Sequence, residues 1–268
     1  MKYWLVFVAS LSLTASAQTI EFKLRNDYLI LTRCSIGDRQ DLVAVIDTGV
    51  SETAIDAKLA KRLRLPTNPD AAIFGTRSAR VSAVSIPELA VGGVRAGNLA
   101  GVVIDGSTIE RELGIHADVI IGMDVLERNR FTIDYKAKTM TFGTAPQFAH
   151  TAPLIHANHL ALVSALVGKA RLVLQLDTGL NGILIYGGRT PVSEHTLNSN
   201  SVTPTGATSL QTASVSLRIG DWEKRQATVA VTDDKPQGGA PFDGLLGITS
   251  IGAHRVSFDW QKGAMSWE

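Results

Sequence analysis

The chain is short of cysteine, of charge runs and of long helical patterns, and each shortage excludes something. Its 268 residues contain one cysteine, Cys34, so no internal disulfide can form. Cys34 lies in the apolar stretch from Tyr28 to Ile36 with no base beside it, and reads as a small buried residue rather than a nucleophile. The net charge is +1 and no long run carries one sign. That argues against a nucleic-acid footprint and against a polybasic membrane patch. The motifs Gly-x-Ser-x-Gly and His-Glu-x-x-His are absent, so the usual serine and zinc hydrolase signatures give nothing. Helical periodicity is scarce while Val, Ile, Leu, Thr and Gly dominate, which points to an all-β fold.

What is present begins with a leader. Lys2 supplies a positive start, Trp4 to Leu13 is mostly apolar, and Ala15-Ser16-Ala17 is a small-x-small cleavage site. The apolar run is too short to span a bilayer comfortably, and no other segment approaches that length. The expectation is a signal peptide over residues 1–17, a mature protein starting near Gln18, export to the periplasm or the extracellular space, and no stable membrane anchor. No pro-segment is evident before the first strand.

One short pattern occurs twice. Ala44-Val45-Ile46 ends in Asp47-Thr48-Gly49, and Leu174-Gln175-Leu176 ends in Asp177-Thr178-Gly179. A carboxylate that follows a buried run is costly unless it is hydrogen-bonded or partnered. The neighbourhoods also repeat: Gly37 matches Gly168, Gly75 matches Gly206, Gly92 matches Gly220, and Asp105 matches Asp233. Asp118-Val-Ile-Ile-Gly122 matches Asp243-Gly-Leu-Leu-Gly247, and from there to Phe142 and Trp267 the two copies align without a gap. Each copy has strands before the Asp-Thr-Gly and a closing hairpin, with a linker around Gly143 to Pro153. The spacing of Glu52–Leu65 predicts a short amphipathic helix stopped by Pro66, and Met123–Glu127 a second one. The organisation expected is two similar β-rich lobes, residues 18–145 and 146–268.

With strand, Asp-Thr-Gly, short helix, mobile hairpin, apolar-apolar-Gly and closing hairpin in place, each copy resembles one lobe of the aspartic peptidases. The compact retropepsin type is nearer than half of a pepsin. Two such lobes in one chain resemble a fused retropepsin dimer, an all-β molecule of two acid-protease barrels with pseudo-twofold symmetry and short helices. Ile121–Leu126 with Phe131–Tyr135 also resembles secreted bacterial proteins of the aspartyl protease family.

The resemblance implies an endopeptidase whose water is activated by Asp47 and Asp177. Two like charges a few ångströms apart cannot both ionise, so one carboxyl takes a proton from water while the other donates one to the substrate carbonyl. It implies that Thr48 and Thr178 lock the two turns together and that Gly49 and Gly179 let the backbone approach closely. Ile120-Ile121 and Leu245-Leu246 would support the turns, and hairpin flaps would lie at Gly75, Thr76, Gly206 and Ala207. None of Tyr3, Tyr28, Tyr135 and Tyr186 falls in a flap segment, unlike pepsin's flap tyrosine. Where pepsin-like enzymes carry Ser or Thr after Asp-Thr-Gly, this chain has Val50 and Leu180, so its pH optimum should be less acidic than pepsin's. The expected partner is a peptide or protein substrate, with no cofactor, metal or nucleic acid, and the chain is expected to be a monomer with an internal pseudo-dimer. His156-x-x-His159 is read as surface or strand histidines, because no third ligand is near it in sequence. Asp118 and Asp243 are read as structural. The alternatives are a catalytically silent peptide-binding module on the same fold, and a retropepsin-like protein that needs a second chain.

Overall fold

Alternating apolar residues and short turns give strands nearly throughout. The computed structural model describes residues 17–74, 77–187, 197–203, 206–232 and 240–268. Residues 1–16 of the expected leader, and Gly75 and Thr76 of the expected flap, lie outside the described residues. The first half runs β1 (Gln18–Glu21), β2 (Lys23–Arg25), β3 (Leu29–Ile36), β4 (Arg39–Ile46), β5 (Ala54–Asp56), α1 (Ala57–Arg62), β6 (Thr67–Phe74), β7 (Arg77–Val91), β8 (Val94–Ile104), α2 (Ser107–Leu113), β9 (Val119–Ile121), α3 (Met123–Leu126), β10 (Phe131–Asp134) and β11 (Thr139–Phe142). The second half runs β12 (His150–Ala157), β13 (Leu160–Val167), β14 (Ala170–Asp177), β15 (Ile183–Ile185), β16 (Leu197–Thr203), β17 (Gly206–Ile219), β18 (Trp222–Val231), β19 (Gly244–Gly247), a 3-10 turn (Ile248–Ile251), β20 (Arg255–Asp259) and β21 (Ala264–Trp267).

The halves repeat in backbone conformation as well as in sequence. The β3–β4 turn passes through Gly37 at φ +53° and the β13–β14 turn through Gly168 at φ +59°, a left-handed conformation that glycine adopts without strain. In each half the strand leading to the Asp-Thr-Gly pairs in parallel with the apolar-apolar-Gly strand: β4 with β9, Ile46 opposite Ile121, and β14 with β19, Leu176 opposite Leu246. Asp118 and Asp243 hold these pairs together. Each accepts a hydrogen bond at 2.9 Å from the backbone N–H of Val43 or Val173, residues equivalent in the repeat. Their structural reading therefore stands on a named contact.

The closing hairpins do not end their own halves separately. β10 pairs with β20, Phe131 opposite Phe258, so β1-β11-β10-β20-β21-β12 is one continuous sheet spanning both halves. Phe131 stacks on Phe258 at 4.7 Å between ring centroids, and Trp260 Nε1 donates to the Asn129 carbonyl across the junction. One core cluster correspondingly contains residues of both halves. Strands account for most of the fold, with a closed six-stranded barrel and few helices, as the all-β retropepsin-like expectation required.

Local expectations change in three places. The helix predicted over Glu52–Leu65 begins only at Ala57, because Ala54 and Ile55 are zipped between β9 and β8. Asp56 then caps the helix, accepting from the N–H groups of Lys58 and Leu59. Helix α2 is additional, and the linker is shorter than Gly143–Pro153 because strand pairing resumes at His150. Cys34 is buried and its thiol is pushed up to about 12, first by burial and then by the charge of Asp118, which removes it as a nucleophile.

Candidate active site

The last residues of β4 and β14 bring the two Asp-Thr-Gly turns face to face. Thr48 Oγ1 donates to the Leu176 carbonyl at 3.0 Å and accepts from the Thr178 N–H at 3.1 Å. Thr178 Oγ1 reciprocates, donating to the Ile46 carbonyl at 3.0 Å and accepting from the Thr48 N–H at 3.0 Å. Both threonines are buried. Four hydrogen bonds therefore cross between the halves within two residues of the carboxylates.

Each carboxylate sits on its own turn. The Gly49 N–H donates to Asp47 Oδ1 at 2.8 Å, and the Gly179 N–H donates to Asp177 Oδ1 at 2.7 Å. Each glycine also makes room for the opposite carboxylate. A Cβ on Gly49 would lie 2.4 Å from Asp177 Cγ, and one on Gly179 would lie 2.5 Å from Asp47 Oδ2. No side chain fits there, so glycine is required by space rather than by backbone angle. Each carboxyl therefore rests against the glycine on which the other is seated.

Burial raises both carboxyls; on Asp47 the N–H groups of Gly49 and Gly179 oppose it, and on Asp177 the Asp47 charge adds to it. The pair consequently titrates as a unit and keeps one proton above the ordinary carboxylate range. Such a pair can accept a proton at one carboxylate while donating one from the other.

Three neighbours escaped the sequence reading. Gln175, almost fully buried, donates from Nε2 to the Gly49 carbonyl at 2.9 Å across the junction. Its signal was a polar residue inside the apolar run Leu174–Leu176, where the first copy has Val45. Tyr28 is half-buried in the β2–β3 turn, and its phenol is held un-ionised first by burial and then by the charges of Asp177 and Asp47. Thr53 Oγ1 donates to Asp124 Oδ1 at 2.7 Å and accepts from the Gly122 N–H at 3.3 Å, tying the end of β9 to the loop after Asp47. Asp124 is itself raised by burial.

The hairpins named as flaps are present as paired strands. β6 pairs with β7 up to Phe74 opposite Arg77, and β16 pairs with β17 up to Thr203 opposite Gly206. Gly206 and Ala207 thus open β17, opposite Thr203 and Val202. His156 and His159 do find a carboxylate, from the other half. Glu127 at the end of α3 meets His156 Nε2 and His159 Nδ1, each at 2.5 Å. Among the described residues no cluster suited to a metal ion occurs.

Residues 32–125 match the family described as Aspartyl protease. The matched segment covers Asp47-Thr48-Gly49 and ends before the second copy, so Asp177 lies outside it. The chain is also similar to a solved retropepsin-like aspartic protease from Rickettsia conorii, at 19% identity over 47% of this chain and 90% of that one, with a TM-score of 0.33. No curated protein matches the chain.

Proposed function

We propose that the chain is an aspartic endopeptidase in which Asp47 and Asp177 activate one shared water. The observation that carries this reading is the juxtaposition of two carboxyl groups, each seated on its own glycine N–H and each packed against the other's glycine. In the reaction the ionised carboxylate removes a proton from water as its oxygen attacks the peptide carbonyl carbon. The protonated carboxyl donates to the carbonyl oxygen, giving a neutral tetrahedral diol. As the diol collapses and the C–N bond breaks, the protonated carboxyl gives its proton to the leaving amine while the ionised one takes a proton from a diol hydroxyl, so the pair returns to its singly protonated state. Thr48 and Thr178 fix the distance between the carboxyls, and the β6–β7 and β16–β17 hairpins cover the bound peptide.

The leader supports export, so the substrate is a peptide or protein met in the periplasm or outside the cell. Among the described residues no helix is long and apolar enough to cross a membrane. Both Asp-Thr-Gly copies lie in one chain, which supports action as a monomer with an internal pseudo-dimer.

Cleavage of an unstructured protein, with and without pepstatin, tests the reading beside Asp47→Asn and Asp177→Asn. Wild-type cleavage blocked by pepstatin and lost in each variant is the expected result. Activity that survives either substitution defeats the paired-carboxylate mechanism, and peptide binding without cleavage by the wild type leaves a peptide-binding module instead.

A further inference from the structure

A pocket of about 330 Å³ opens in the second half one residue beyond Asp177-Thr178-Gly179, beginning at Leu180 and Asn181. Along β18, the exposed residues Lys224, Gln226 and Thr228 line the pocket, together with the small side chains of Ala227 and Ala230. Leu184 and Leu210, both buried, form an apolar floor. Lys224 reaches the Ser250 carbonyl with Nζ at 3.5 Å, which holds its ammonium group at the rim. Among the described residues that line the pocket, Lys224 carries the only charge.

The repeat makes this environment specific to one side. Leu180, Asn181 and Gly182 occupy the positions of Val50, Ser51 and Glu52 in the first copy. The loop after Asp47 therefore carries a carboxylate-bearing residue where the loop after Asp177 carries none. An apolar floor with a cationic and amide rim suits a side chain with an aliphatic stem and an anionic head. The opposite charge on the other loop disfavours the same side chain there, so charge also selects which way a peptide lies.

We propose that this pocket is a subsite for an acidic side chain: it receives a glutamate or aspartate of an extended peptide, a few residues from the scissile bond, and Lys224 Nζ meets its carboxylate. The substrate class named here rests on the peptidase reading above. Lys224 is exposed at the rim, where an ion pair is only weakly favourable, so exchange of the lysine's charge should shift preference about fivefold.

The test has two readouts. A peptide library cut by the wild type should show Glu or Asp enriched at one fixed distance from the cleaved bond. Lys224→Glu should replace that enrichment with Lys or Arg, while Lys169→Glu, with the same net charge change on the β13–β14 turn, should leave it intact. Identical profiles for wild type and Lys224→Glu overturn the proposal. The second readout is binding of matched Glu-, Gln- and Lys-containing peptides to Asp47→Asn and to Asp47→Asn/Lys224→Glu, followed by fluorescence anisotropy. Tighter binding of the Glu peptide, reversed by the second substitution, supports the subsite, and equal binding of all three peptides by both proteins overturns it. Charge-selective binding in a protein whose wild type cuts nothing sinks the peptidase reading and keeps the subsite.

Discussion

Replacing Thr48 with valine keeps nearly the same shape and deletes one hydroxyl. That hydroxyl donates to the Leu176 carbonyl and accepts from the Thr178 N–H, so the change takes a partner from each of two backbone groups. Thr48 has no exposed surface, so water does not replace the lost hydroxyl. A buried backbone group left unsatisfied costs about 1–3 kcal/mol, which gives roughly 2–6 kcal/mol for Thr48→Val. Thr178→Val is equivalent, because Thr178 makes the mirror pair of bonds to Ile46 and Thr48. Thr48→Ser keeps both hydrogen bonds and loses only a methyl group, a cost of about 1 kcal/mol. The measurement is urea unfolding of the three variants, followed by tryptophan fluorescence, with cleavage rates taken in parallel. The expected order is wild type, then Thr48→Ser, then the two valine variants, with cleavage by the valine variants falling further than their folded fraction. If Thr48→Val unfolds within about 0.5 kcal/mol of Thr48→Ser, the hydroxyls do not join the halves and the reasoning fails.

Three further outcomes follow from the same geometry. The Asp177 carboxyl titrates higher in the folded protein than its ordinary value of 3.8, so the native state binds more protons than the unfolded chain as pH rises through that window, and stability falls there. Asp177→Asn removes that penalty: it should raise the unfolding midpoint at about pH 7 and change it little at about pH 3, as thermal melts at the two values will read. Gly49→Ala places a Cβ 2.4 Å from Asp177 Cγ and must push the two carboxyls apart, so cleavage should drop about a hundredfold while circular dichroism stays native-like. Val50→Thr with Leu180→Thr offers each carboxylate a hydroxyl donor, which favours the ionised form and should move the acid limb of the pH–rate profile down by about one unit.

The sequence made the turns legible because they rest on local chemistry. An Asp-Thr-Gly after an apolar strand, answered by an apolar-apolar-Gly strand, needs only period, spacing and a repeat to be found. The parallel pairing of β4 with β9 and of β14 with β19 is the contact those motifs anticipated. What stayed hidden depends on partners far away in sequence. Ala54–Asp56 has helical spacing, yet β8 and β9 claim it as a strand. The sheet that joins the halves pairs Phe131 with Phe258, and neither closing hairpin alone announces that its edge is occupied. His156 and His159 lacked a nearby carboxylate in sequence because Glu127 reaches them from the other half.

The two copies of the repeat lie in one chain without being identical, and that changes what the site can become. A symmetric dimer must carry every contact twice, whereas here the contacts that meet the carboxyl pair differ from side to side. Gln175 holds the Gly49 carbonyl, but its counterpart Val45 has no donor to offer Gly179. Glu127 engages His156 and His159, while the repeat places Gly252 at the position of Glu127, so that clamp cannot form a second time. Two chemically identical aspartates therefore sit in unlike surroundings, although burial raises both. The same freedom lets one loop carry Glu52 and the other open a lysine-rimmed pocket. With two unlike copies of the repeat in one chain, the hydrogen bonds of the turns and the charge of the flanking loops can be set by separate substitutions, each made on one side only.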